Sequence, residues 1–345
     1  MLKGKVSIRY ICLIGIILWS SFCTAETQMF ASLGDLKLTS GEIISDCQIG
    51  YRTYGNLSAT RDNVVVMPTW HTGSTWDLER YEVVGPGKLL DTNRYFVITI
   101  DALGNGVSTS PSNSKSQSGT GFPQVSIADM VHSQYRLLTE TLEIQSVHAV
   151  IGISMGGMQT FQWIRQYPVY MNKAVAIDGS PYLTSYDVLQ WQTHLNIIEV
   201  MQESDRSNSE IAAVIGPLNL LTLWTPDYFV ENVARADLDE FLEQDAQGRE
   251  SFDGHDYIVQ TQAMIDHDAF DESTVADLLV LSVPEDHMVN PTPAKLLAAS
   301  IDAEFVEIHS NCGHMGTTCE DAEVARQVNA FLLKDVRSSV LNPDR

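Results

Sequence analysis

Short apolar, β-branched runs alternate with segments of helical period along most of this chain, and that alternation leaves few architectures open. Asn63–Met67 (NVVVM), Tyr95–Ile100 (YFVITI), Val147–Ile151 (VHAVI), Lys173–Ile177, Asp277–Val283 and Glu304–Ile308 each read as a buried strand. Leu36–Tyr54 suits two short strands. Ile127–Leu142, Met155–Gln166 and Glu320–Lys334 carry apolar residues at helical spacing, the first with Ser126 as N-cap and Asp129 three residues on. Strands joined through helices pair in parallel, so the order predicts an α/β fold with a mostly parallel central sheet covered on both faces. A Gly-, Ser- and Pro-rich loop is expected at Leu103–Pro123. The alternation stops once. Tyr182–Phe270 has helical pattern and no convincing strand, which predicts a helical lid inserted over the strand ends. The division is then an α/β core at 26–181, the lid at 182–272 and the rest of the core at 273–345.

The chain has 345 residues, 44% hydrophobic and 19% charged, enough to bury a sizeable core. Lys plus Arg is 21 against 44 Asp plus Glu, a net charge of −23. Such a surface repels nucleic acid and anionic membranes. Eight of the acids fall between Asp237 and Asp256 against Arg249 alone, read as a solvated face. Residues 1–25 read as a secretory signal peptide. Lys3, Lys5 and Arg9 precede a ten-residue apolar run from Tyr10 to Trp19, with Cys23-Thr24-Ala25 as the cleavage site. The run is too short to span a bilayer, which takes about 20 apolar residues. Cleavage after Ala25 predicts a periplasmic or secreted protein of net charge −26, with no stable membrane insertion; an uncleaved N-terminal anchor is the alternative. Cys47, Cys312 and Cys319 would then meet an oxidising compartment. A Cys312–Cys319 bridge and a Cys47–Cys312 bridge are both open.

Chemistry concentrates in Gly152-Ile153-Ser154-Met155-Gly156-Gly157, between a strand and a helix. A serine on so sharp a turn needs small neighbours, and the helix after it points free N–H groups at the reaction centre. Its hydroxyl needs a base, and the base an orienting acid, in the chain order Ser, acid, His. Asp286, just past the run ending at Val283, is the expected acid, with Glu285 as runner-up. His314, in a loop after the last strand, is the expected base over His309, which still sits in a strand-like run. An oxyanion needs two donors, expected from the backbone N–H groups of Met155 and His71. The His71 side chain either lines the pocket or stays on the surface. His255 and His267 are twelve apart and offer no compact ligand spacing, so no metal is expected, and with no Gly-x-Gly-x-x-Gly after the first strand and no Walker loop no cofactor is expected.

These residues resemble a known family. Gly152–Trp163 (GISMGGMQTFQW) is similar to the nucleophile segment of the homoserine O-acetyltransferase-like branch of the α/β-hydrolases. Phe122-Pro123-Gln124-Val125-Ser126-Ile127, Asp129-Met130-Val131 and Gln134 resemble the helix before it. Thr72-Gly73-Ser74 resembles its oxyanion loop, and Phe252-Asp253, Tyr257-Ile258 and Ala263-Met264 the end of its lid. Asp286 followed by Pro291, and Gly313-His314, match its acid and base positions. The likeness spans about residues 30–335 and implies a Ser154, Asp286, His314 triad that passes an acyl group through an acyl-serine to an acceptor. Two departures stand out. The family's acetyltransferases usually carry Asp after the Gly-His, where this chain has Met315. They usually carry an Ala-Arg pair where this chain has Ser180-Pro181-Tyr182.

An Arg is the natural partner for an amino acid's carboxylate, and acyl-CoA is a polyanionic cytosolic donor. The expectation is therefore an exported, esterase-like acyl hydrolase acting on a small acyl ester, with water as acceptor. The alternative is an O-acyltransferase of the homoserine O-acetyltransferase type. A non-catalytic binding protein on the same fold is the third reading, opposed by the intact set of nucleophile, acid, base and oxyanion loop. Acyl chain and oligomeric state are left open.

Overall fold

The computed structural model describes residues 27–249, 251–272 and 276–334; the segment read as a signal peptide lies outside them. The chain opens with an antiparallel pair, β1 (Met29–Lys37) and β2 (Ile43–Tyr54). It continues through β3 (Val64–Pro68), α1 (Thr75–Arg80) and a small ribbon of β4 (Val84–Gly85) with β5 (Leu90–Asp91). Then come β6 (Phe96–Ile100), α2 (Ile127–Arg136), β7 (Val147–Ile153), α3 (Met155–Gln166) and β8 (Met171–Ile177). Helices α4 (Ser185–Glu203), α5 (Asn208–Leu223), α6 (Pro226–Asn232), α7 (Leu238–Gln247) and α8 (Gly254–Ile265) follow. The sheet resumes with β9 (Asp277–Ser282), α9 (Thr292–Ser300) and β10 (Glu304–Glu307). The short α10 (Gly316–Cys319) and α11 (Asp321–Leu332) end the described chain.

Among the described residues the main sheet has eight strands in the order β1-β2-β6-β3-β7-β8-β9-β10. β2 runs antiparallel to both neighbours, and every pairing from β6 to β10 is parallel. The central strands are apolar throughout because both faces are covered. Val64 and Val66 join the core on the face of α2, α3 and α9, while Val65 and Met67 join the core under α1 and α11; all four are fully buried. Each such side chain contributes about 1.5–3 kcal/mol.

The expected α/β fold is the observed one. At the edge, the first strand begins at Met29, earlier than Leu36, with register shifts around Gly34 that blur its alternation. Ser126 and Asp129 form a reciprocal cap on α2, and the Asp129 carboxylate also accepts from Thr39 N–H at 2.7 Å. α2 ends at Arg136, earlier than Leu142, and continues as a π-turn over Leu137–Thr141. Among the described residues no helix is long and apolar enough to cross a membrane.

Candidate active site

Ser154 stands between β7 and α3 with φ 58° and ψ −123°, backbone angles that cost strain for any residue with a side chain. The glycines explain how the turn closes. A Cβ on Gly152 would fall 1.9 Å from the Gly156 carbonyl oxygen, and one on Gly156 would fall 2.8 Å from that of Pro68. The Ser154 N–H donates to Ile177 O at the end of β8 (2.9 Å), so the sheet holds the strained residue in place.

His314 lies on a one-turn helix (Gly313–Met315) after β10, and Gly313 takes φ 63° at the bend. Its Nε2 is 2.9 Å from Ser154 Oγ and its Nδ1 2.6 Å from Asp286 Oδ2. Asp286 Oδ1 accepts from the N–H groups of Met288 (2.7 Å) and Val289 (3.0 Å). That loop pins the carboxylate, and both side chains are buried. Burial alone would lower the His314 pKa. The charge and hydrogen bond of Asp286 outweigh it and raise the pKa above the ordinary histidine value. Glu285 and His309 are turned away, facing each other at 3.5 Å on the surface. Cys312 and Cys319 are bridged, closing a loop around His314. Cys47 is free and buried, and burial pushes its thiol up to about 12.

The loop after β3 carries His71 beside the serine's strand end. Thr72 has φ 57°, and its N–H donates to Gln260 Oε1 at 2.7 Å. Fully buried Gln260 in turn donates from Nε2 to Leu103 O at 3.0 Å. His71 Nε2 meets Thr261 Oγ1 at 3.0 Å, and its ring packs edge-on to Tyr257 and Trp191. Burial drives its pKa down to about 3, so the imidazole is neutral. The side chain is thus docked on helices α4 and α8. Gln260 and Thr261 sit between Tyr257-Ile258 and Ala263-Met264 in the sequence, but nothing there marks them as partners of a loop 188 residues away.

The end of the inserted helices is tied to the core. Asp256 accepts from Ser112 N–H at 2.9 Å and from its hydroxyl at 2.5 Å. Asp253 caps α8, and Asp245 pairs with Arg249. Several acids of this run therefore hold structure, a correction to reading them all as a solvated face. His255 lies 3.8 Å from Asp253 and His267 is buried apart from it. Among the described residues no cluster of three or more His, Cys, Asp or Glu is placed to hold a metal.

A parallel sheet, a strained serine at a strand-to-helix turn and a facing His–Asp pair define a class. Residues 80–317 match the family described as alpha/beta hydrolase fold, and the chain belongs to it as an enzyme of that superfamily. Within the family it belongs to the homoserine O-acetyltransferase-like branch. It is 30% identical over 374 aligned positions to the homoserine O-acetyltransferase of Methanosalsum zhilinae, covering 92% of this chain and 75% of that one. It is 34% identical over 206 positions to the ethyl acetate hydrolase of Pseudomonas veronii, covering 57% of this chain and 59% of that one. The solved structure of an acetylester hydrolase from Corynebacterium glutamicum superposes with a TM-score of 0.80 at 26% identity, over 89% of this chain and 95% of that one.

Proposed function

We propose that the protein is an exported acyl hydrolase in which Ser154 is the nucleophile, His314 the general base and Asp286 the orienting acid. The carrying observation is the unbroken hydrogen-bonded run from Ser154 Oγ through the two nitrogens of His314 to Asp286. His314 Nε2 takes the hydroxyl proton as Oγ attacks the ester carbonyl, and Asp286 stabilises the imidazolium through Nδ1–H. The N–H groups of Met155 and His71 receive the developing oxyanion. His314 then gives its proton to the leaving alkoxide, which leaves an acyl-serine and a free alcohol. A water attacks the acyl-serine, His314 takes its proton, and the carboxylic acid departs as the proton returns to Ser154.

Water is favoured as acceptor by Met315 and by Ser180-Pro181-Tyr182, which leaves no Arg at the position usual in the family's acetyltransferases. The names of the ethyl acetate and acetylester hydrolases support short acyl chains. Helices α4–α8 act as the lid, with α8 its fixed end. The N-terminal pattern and the Cys312–Cys319 bridge both support export, since such bonds persist in oxidising compartments. O-acyl transfer is the second reading, favoured by the match to a homoserine O-acetyltransferase over 92% of this chain.

Turnover of p-nitrophenyl acetate, measured with and without alcohols or homoserine, tests the proposal. Hydrolysis unaffected by acceptors is expected. Acetyl-CoA with homoserine giving kcat/KM above about 10⁴ M⁻¹s⁻¹, the lower end for ordinary enzymes, would overturn it.

A further inference from the structure

Asp178 directly follows β8, where the three elements of the site meet. Its backbone is left-handed (φ 46°), and its N–H donates to Leu281 O on β9 at 2.9 Å. The next residue, Gly179, packs on α3 so closely that a Cβ there would fall 2.7 Å from the Gly157 backbone. The Asp178 side chain turns inward and is 2% exposed. Oδ1 accepts from Val283 N–H at 3.0 Å, three residues before Asp286. Oδ2 is buried without a hydrogen-bond partner. The Thr317 hydroxyl of α10, three residues after His314, lies beside the carboxyl. Strand β8 is thereby linked to the nucleophile helix, to the strand that leads into the acid and to the helix that follows the base.

Two buried carboxylates side by side cannot both ionise cheaply. Asp286 accepts two backbone N–H groups and the His314 ring, so the negative charge belongs there. Asp178 has one backbone donor and one unpartnered oxygen. The titratable groups facing it are Asp286 and His314, and Asp187 of α4 faces Asp286 in turn.

We propose that Asp178 is a positioning residue that works as a neutral acid, tying the acid-bearing strand end to the helix behind the base while leaving Asp286 as the one charge on His314. The assignment rests on the Ser154–His314–Asp286 reading above. Burial and the charge of Asp286 push the Asp178 pKa up to about 7, against the pull of His314, the Val283 N–H and Thr317. In its ionised form Asp178 would raise the His314 pKa.

The test is the pH dependence of kcat and kcat/KM for p-nitrophenyl acetate, with melting curves, in the full chain and its Asp178→Asn, Asp178→Ala and Asp286→Ala variants. An Asn side chain keeps the acceptor for Val283, offers a donor and tolerates the left-handed backbone. Asp178→Asn should keep kcat within about threefold at pH 7, and Asp178→Ala should lower kcat about tenfold or more at unchanged KM. The acid limb of Asp178→Asn should coincide with that of the unaltered enzyme, because neither side chain places a second charge beside His314; a limb displaced to lower pH would show a charged Asp178 and overturn the neutral-acid role. Asp178→Asn as damaged as Asp178→Ala would overturn the neutral-acid role. Asp178→Ala with unaltered kcat and pH profile would overturn the positioning role. If Asp178→Ala fails to fold, the rate and acid limb of Asp178→Asn decide alone. Near-normal turnover by Asp286→Ala would instead remove the triad reading, and this proposal with it.

Discussion

His314 Nε2 faces Ser154 Oγ at 2.9 Å across 160 residues of sequence. Most of the fold between them serves to create that distance. The sheet brings the strand ends together, Gly152 and Gly156 let the serine's turn close, and the Cys312–Cys319 bridge restrains the loop that carries the imidazole.

The acid can be tested one residue apart. Asp286→Asn should lower kcat by about 10³–10⁴, because an amide cannot stabilise the imidazolium or hold the same tautomer. Glu285→Gln should leave turnover within about threefold, since Glu285 faces His309 on the surface. Steady-state kinetics on both variants check this, and a crippled Glu285→Gln would move the acid by one position.

In the proposed mechanism His314 must be neutral to accept the Ser154 proton. Burial works to lower the His314 pKa, but the charge and hydrogen bond of Asp286 outweigh it and hold it above the ordinary histidine value. Activity should therefore fall as pH drops through the His314 ionisation, and the limb should move down in Asp286→Asn. A kcat/KM profile flat down to pH 5 would contradict this.

The bridge around His314 should matter for stability and rate together. Replacing Cys312 and Cys319 by Ser opens a short loop, with roughly 2–3 kcal/mol lost in the loop-entropy view. Thermal unfolding should show the drop, and kcat should fall more than KM rises. A double variant with unaltered melting point and kcat would show that the bridge is idle.

Gln260 is expected to hold the oxyanion loop. Gln260→Leu leaves the Thr72 N–H without its acceptor and frees the loop that offers the His71 N–H. kcat should fall about ten- to a hundredfold with KM little changed, less than for outright loss of an oxyanion donor. A rise in KM alone would place Gln260 in substrate binding instead.

Much of the fold and of the site is legible in the sequence. Gly-x-Ser-x-Gly between an apolar run and a helical period has one physical reading, and the order of later strands narrows the acid to Asp286 or Glu285 and the base to His314 or His309. The rest depends on contacts between distant segments. The sequence leaves His71 either in a pocket or on the surface, and only packing against Tyr257, Trp191 and Thr261 decides between them. Asp178 looks like any acid after a strand until its burial and its neighbours are known. The Cys312–Cys319 pairing needs backbone geometry that spacing does not supply.

The most direct test is to trap the acyl-enzyme. The purified protein is mixed with an activated acetyl ester or an organophosphonate, quenched, and mapped by peptide mass spectrometry. The expected result is one adduct on the peptide containing Ser154, absent together with turnover from a folded Ser154→Ala variant. An adduct on another residue, or undiminished turnover by Ser154→Ala, would contradict the assignment of Ser154 as nucleophile.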